Sequence, residues 1–194
     1  MTNKTQIVLI GDSLTDWNFG ENGWGGKLQH WYGEKVKIVN SGYAGYTSKM
    51  IKDIINDIIP VEKEKDILLC VILLGTNDCF YKGRQVSHQD YKKNMLYIID
   101  HIRSIYPKIE ILTITPPITA YKNELLPYIN VLYEIKTEHT FINILNLHTH
   151  PNTMVLTDLS DGIHLNDSGN KKLFQYVQNA IVFYYNHIIP SKIK

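Results

Sequence analysis

Five short apolar runs punctuate the chain: QIVLI at 6–10, VKIV at 36–39, DILLCVILL at 66–74, IEILTIT at 109–115 and FINILNL at 141–147. They run continuously apolar rather than alternating, the pattern of strands covered on both faces by helices. Helical patterns fill the intervals. The clearest, SKMIKDIINDII at 48–59, places Met50, Ile51, Ile54, Ile55 and Ile58 in one stripe. A second is expected over 24–33, a third over 87–106 behind Ser87 and Asp90 and stopping before Pro107, a fourth over 123–138, and a last over 167–188 behind Asn166-Asp167-Ser168. Strand and helix alternate throughout, which defines the fold class as α/β, a three-layer α/β/α sandwich around a five-stranded parallel sheet.

No repeat, low-complexity tract or linker divides the chain, so residues 1–194 read as one domain. A chain of 194 residues can bury roughly 70% of the surface its unfolded form exposes and needs no disulfide staple. Cys70 lies inside an apolar run and Cys79 follows a turn, so both are expected to be reduced. The 20 basic and 19 acidic residues are scattered and nearly cancel, which argues against nucleic acid or an anionic membrane as partner. The opening MTNKTQIVLIGD has too short an apolar core for a secretory signal or a spanning helix, so a cytoplasmic location without membrane insertion is expected. Association of identical chains is left open.

In a sheet of this kind ligands gather beyond the carboxyl ends of the strands. Four sequence blocks should meet there: Ser13 after strand one, 40–47 after strand two, Gly75-Thr76-Asn77-Asp78 after strand three, and Asp161 to His164 beyond strand five. A lone serine in a glycine turn is most often a cap. Its company changes the reading. His164 has Asp161 three residues earlier, close enough on a tight loop for the carboxylate to orient the imidazole, and a serine hydroxyl needs such a base to become a nucleophile. Gly45, with no Cβ, could bring a bare N–H close to a reacting carbonyl, and Asn77 could offer a side-chain amide. By itself Gly45 is equally a turn residue, Asn77 a cap, and the Asp161–His164 pair a capped turn with a packed histidine.

GDSLTD, the Gly45 block NSGYAGYTS, GTND and DGIH, in that order and at these intervals, resemble the four blocks of the SGNH hydrolases, also called GDSL esterases and lipases. The resemblance spans about residues 6 to 180. It implies a flavodoxin-like sheet and a carboxylic ester hydrolase working through an acyl-enzyme, with no metal or organic cofactor. Ser13 would be the nucleophile, His164 the general base and then acid, and Asp161 the residue fixing its tautomer. The oxyanion hole would be formed by the Ser13 N–H, the Gly45 N–H and the Asn77 side chain. GWGGKLQHWY and IVNSGYAGYTS are most similar to the branch named after isoamyl acetate-hydrolysing esterases, pointing to a small ester substrate with a short acyl chain. The segment between Pro117 and strand five is short for that branch, so a wall of the substrate site would be reduced.

Around these residues, Asp12 is expected to accept backbone N–H groups of neighbouring loops and hold the Ser13 turn, and Asp78 to tie the Asn77 turn to a neighbouring loop. Trp17, Trp24, Tyr43 and Tyr46 fall near the first two rim loops and could line an acyl or alcohol pocket, or equally pack the core. His148 and His150 form an H-x-H pair without the further ligands or spacing of a zinc site. Competing functions are a thioesterase or lysophospholipase, a carbohydrate acetylesterase, a non-catalytic binding domain and a tyrosine-rich interaction surface. The binding domain is weakened by the absence of a G-x-x-x-x-G-K-[ST] loop and of a dinucleotide turn, and the lack of G-x-S-x-G disfavours an ordinary α/β-hydrolase.

Overall fold

The computed structural model describes residues 5–59, 67–80, 85–120, 122–149 and 153–193. Among these, strands β1 (Gln6–Gly11), β2 (Lys37–Gly42), β3 (Ile67–Leu73), β4 (Glu110–Ile114) and β5 (Ile142–Leu145) form one sheet in the order β2-β1-β3-β4-β5. Every pairing is parallel. Helices α1 (Ser13–Asp16), α2 (Trp24–Tyr32), α3 (Ser48–Ile58), α4 (Thr76–Phe80), α5 (His88–Ile105), α6 (Lys122–Glu138) and α7 (Asp167–Tyr184) alternate with them.

The alternation of side chains along each strand divides the interior in two. Val8, Ile10, Cys70 and Ile72 face α3, α5 and α6, meeting Ile51, Ile55, Ile98, Ile102 and Leu132. Ile7, Leu9, Leu69, Val71 and Leu73 face α2 and α7, meeting Trp24, Leu28, Leu173 and Val177. With both faces covered, the strands can be apolar at successive positions, which is why they show no polar alternation. Burial raises the Cys70 thiol to about 12, leaving it an inert core residue. Cys79, also buried, donates its thiol to the Thr76 carbonyl.

Register fixes the rim. Gly42 lies beside Gly11, Gly11 beside Leu73, Leu73 beside Ile114 and Ile114 beside Leu145, so five strand ends fall in one row. The chain turns outward from β1 to β2 and then back to β3, making the gap between β1 and β3 the switch point where flanking loops diverge and leave a crevice. Residues following β1 and β3 therefore flank it.

Boundaries differ from the sequence reading where side-chain hydrogen bonds intervene. The segments after β1 and β3, read as loops, wind at once into the short helices α1 and α4. The last helix stops at Tyr184 instead of 188: Tyr185 leaves helical geometry (φ −129°, ψ 41°) and its hydroxyl donates to the Ile111 carbonyl, and a 3₁₀ turn follows over Asn186–Ile188. None of the described helices is long and apolar enough to cross a membrane.

Candidate active site

β1 ends at Gly11, and Asp12 caps α1 by accepting the Leu14 N–H at 2.9 Å through Oδ1. This places Ser13 at the first helical position, where its N–H has no intrahelical acceptor. Asp12 was expected to reach into neighbouring loops; its partner is instead within its own turn, because an N-cap carboxylate satisfies the nearest orphan N–H first. Its second oxygen is buried without a partner among the described residues, and burial, reinforced by the charge of Asp78, raises the carboxyl to about 7.

The Ser13 Oγ lies 3.0 Å from His164 Nε2, and His164 Nδ1 lies 2.6 Å from Asp161 Oδ2. With Nδ1–H donated to the carboxylate, Nε2 carries the lone pair to which the serine hydroxyl donates. Asp161 Oδ1 accepts the N–H groups of Ile163 and His164 at 3.0 and 2.8 Å, so both its oxygens are engaged. The hydrogen bond from His164, with those backbone donors, holds this half-exposed carboxyl down at about 2. The turn depends on Gly162, whose φ of +85° is open to few other residues. Ser160 N–H donates to the His164 carbonyl and Ala120 N–H to that of Gly162, closing the loop and tying it to the segment after β4.

Tyr43 N–H donates to the Gly11 carbonyl, and Ala44 N–H to Asp16 Oδ2, so the turn after β2 leans on β1 and α1. Gly45 within it has φ +78°, and its N–H meets no acceptor among the described residues. Asn77, at the start of α4, donates one amide hydrogen to the Tyr46 carbonyl at 2.9 Å, leaving the other free to point elsewhere. Asp78 accepts both the N–H and the hydroxyl of Ser48, and Asn94 Nδ2 donates to that hydroxyl at 3.1 Å. Burial raises the Asp78 carboxyl to about 6 against the opposing pull of Ser48. Two adjacent residues of α4 thus clamp the segment carrying Gly45, one at Tyr46 and one at Ser48.

The aromatic residues separate. Trp17 is 62% exposed and lies against His164, with ring centroids 4.5 Å apart. Of the two alternatives for Trp24, lining a pocket or packing the core, the second holds at 1% exposure: its indole N–H donates to the Leu14 carbonyl and the ring fills the space beneath α1, because it sits on the inner face of α2. Tyr43 and Tyr46 are half-buried and pair with each other at 5.2 Å. His148 Nε2 contacts the Pro116 carbonyl at 2.7 Å, and His150 lies outside the described residues. Among the described residues no three His, Cys, Asp or Glu side chains gather as metal ligands would.

Several supports carried no sequence signal. Asn18 Nδ2 donates to the Leu14 carbonyl, and its Oδ1 accepts from Asn170 on α7, 152 residues away. Asp158 receives Val155 N–H, the Ser168 hydroxyl and the Lys172 ammonium, fixing the base of the His164 loop. Only the start signal at 166–168 hinted that this region is structured.

The fold and site define a class: a three-layer α/β protein with a serine–imidazole–carboxylate array at the carboxyl rim of its sheet. Residues 9–172 match the family model described as GDSL-like Lipase/Acylhydrolase family, and the chain belongs to that family. A GDSL esterase/lipase of Arabidopsis thaliana is 33% identical over 119 residues, covering 59% of this chain, which spans only 49% of that relative's length. The human isoamyl acetate-hydrolyzing esterase 1 homolog is 26% identical over 197 residues, covering 89% of this chain and 79% of its own. Among solved structures, the lipase/acylhydrolase from Enterococcus faecalis superposes with a TM-score of 0.74 at 21% identity, covering 93% of this chain and 96% of its own.

Proposed function

We propose that this protein is a serine hydrolase of small carboxylic esters with short acyl chains. The observation that carries the reading is the unbroken hydrogen-bonded line from Ser13 Oγ through both nitrogens of His164 to Asp161. His164 Nε2 takes the Ser13 proton as Oγ bonds to the ester carbon. The developing oxyanion is received by the N–H groups of Ser13 and Gly45 and the free amide hydrogen of Asn77. His164 then returns its proton to the departing alcohol, leaving an acyl-serine. Water, deprotonated by the same imidazole, attacks that carbonyl, and the carboxylic acid leaves as Ser13 regains its hydrogen. Asp161 stays ionised throughout and holds the tautomer.

Short acyl chains are supported by the packing directly beneath Ser13, where Leu14, Trp24 and Asp12 are each at most 1% exposed. The branch similarity, including the human isoamyl acetate-hydrolyzing esterase 1 homolog, supports a small ester as well. The test is hydrolysis of p-nitrophenyl esters from C2 to C12. Turnover should be highest at the short end and vanish in Ser13→Ala. A Ser13→Ala protein as active as wild type, or a maximum at C12, refutes the corresponding part of the reading.

A further inference from the structure

His164 is held at two edges by hydrogen bonds, but these leave its ring free to rock about the line joining its nitrogens. Trp17 occupies one face of that ring, with centroids 4.5 Å apart and planes 35° from parallel. The indole is 62% exposed while the His164 side chain is only 24% exposed, so the large apolar ring lies over the imidazole and not in the core. Its placement is built. Trp17 ends the short helix that begins with Ser13, its N–H donating back to the Ser13 and Thr15 carbonyls. The next residue, Asn18, is buried and braced by Leu14 and Asn170. One rigid turn therefore carries both the serine and the cover for the base that serves it.

We propose that Trp17 is a positioning residue that holds the His164 ring in plane with Ser13 and Asp161 and stabilises the imidazolium formed when the serine proton is transferred. The proposal rests on the ester-hydrolase reading for its kinetic part. An indole face carries negative electrostatic potential, and a cation resting on it is favoured over the neutral ring. The benefit therefore appears only once His164 holds two protons, as it does in the transition state, and so raises kcat without tightening substrate binding. The charged group facing the ring from its own turn is Asp161; Ser13 faces it from α1, and Asp16, next to Trp17, is engaged by Ala44 N–H.

Three variants and two readouts test this. Trp17→Leu, apolar but without a π face, should lower kcat about tenfold with KM within about threefold, whereas Trp17→Phe should stay within about threefold of wild type. Both should fold, because the side chain lies mostly in solvent. The second readout needs no substrate: an imidazolium in contact quenches indole emission. The fluorescence of wild type minus that of Trp17→Phe, which cancels Trp24 and Trp31, should be weaker at pH 5 than at pH 9. That difference between pH 5 and pH 9 should disappear when the same subtraction is made in a His164→Ala background. A difference signal flat from pH 5 to pH 9 overturns the contact, and wild-type kcat in Trp17→Leu overturns the positioning role. If Ser13→Ala retained full activity, the hydrolase reading would fail while the fluorescence result still decided whether the rings interact.

Discussion

Asp12→Asn should make stability markedly less dependent on pH. Asp12 is 1% exposed, one carboxyl oxygen has no partner among the described residues, and burial lifts the group from 3.8 to about 7. Because the folded value is raised, the fold favours the protonated acid. The stabilisation is complete below the unfolded value of 3.8 and is lost as pH rises through about 7. A displacement of about 3 units corresponds to about 4 kcal/mol over the whole window, of which about 3 kcal/mol falls between pH 5 and pH 8. Asparagine keeps an oxygen for the Leu14 N–H but carries no charge, so it lacks this loss. Urea unfolding of both proteins at pH 5, 6, 7 and 8 gives the comparison. The stability of Asp12→Asn relative to wild type should climb by about 3 kcal/mol across that range. Parallel pH profiles, agreeing within about 0.5 kcal/mol, would show that Asp12 is ionised at little cost in the fold and refute the reasoning.

On the proposed mechanism, Asn77→Ala removes one of the three oxyanion donors and releases the Tyr46 carbonyl, and should lower kcat by about 10² to 10³ with a smaller change in KM; steady-state kinetics on p-nitrophenyl acetate checks it. Ser48→Ala removes the hydroxyl shared by Asp78 and Asn94 and should cost about 2 kcal/mol in urea unfolding, because two buried polar groups lose a partner together. It should also lower kcat, because the clamp on the Gly45 segment loosens.

Periodicity was enough to read the strands and the main helices, since continuous apolar runs and i, i+3, i+4 stripes are consequences of burial on one or two faces. Ile51, Ile55 and Ile58 fall on the buried side of α3 as their spacing requires. Caps were legible for the same local reason: Ser87 and Asn166 lie at helix starts, each accepting an N–H three residues on. The short helices α1 and α4 escaped, because four or five residues are too few to show a period, and their formation depends on the strand end that precedes them.

The four blocks themselves, and the local Asp161–His164 pairing across three residues, were written in the sequence. What brought His164 to Ser13 across 151 residues was parallel register, which sets Gly11, Leu73 and Leu145 in one row, together with contacts such as Asn18 to Asn170 that have no local signature. Trp24 and Trp17 make the distinction plain. Both are aromatic residues close to Ser13 in sequence, yet one fills the floor and the other lies against His164, because helix orientation on the sheet, which spacing alone does not encode, decides which way each side chain points.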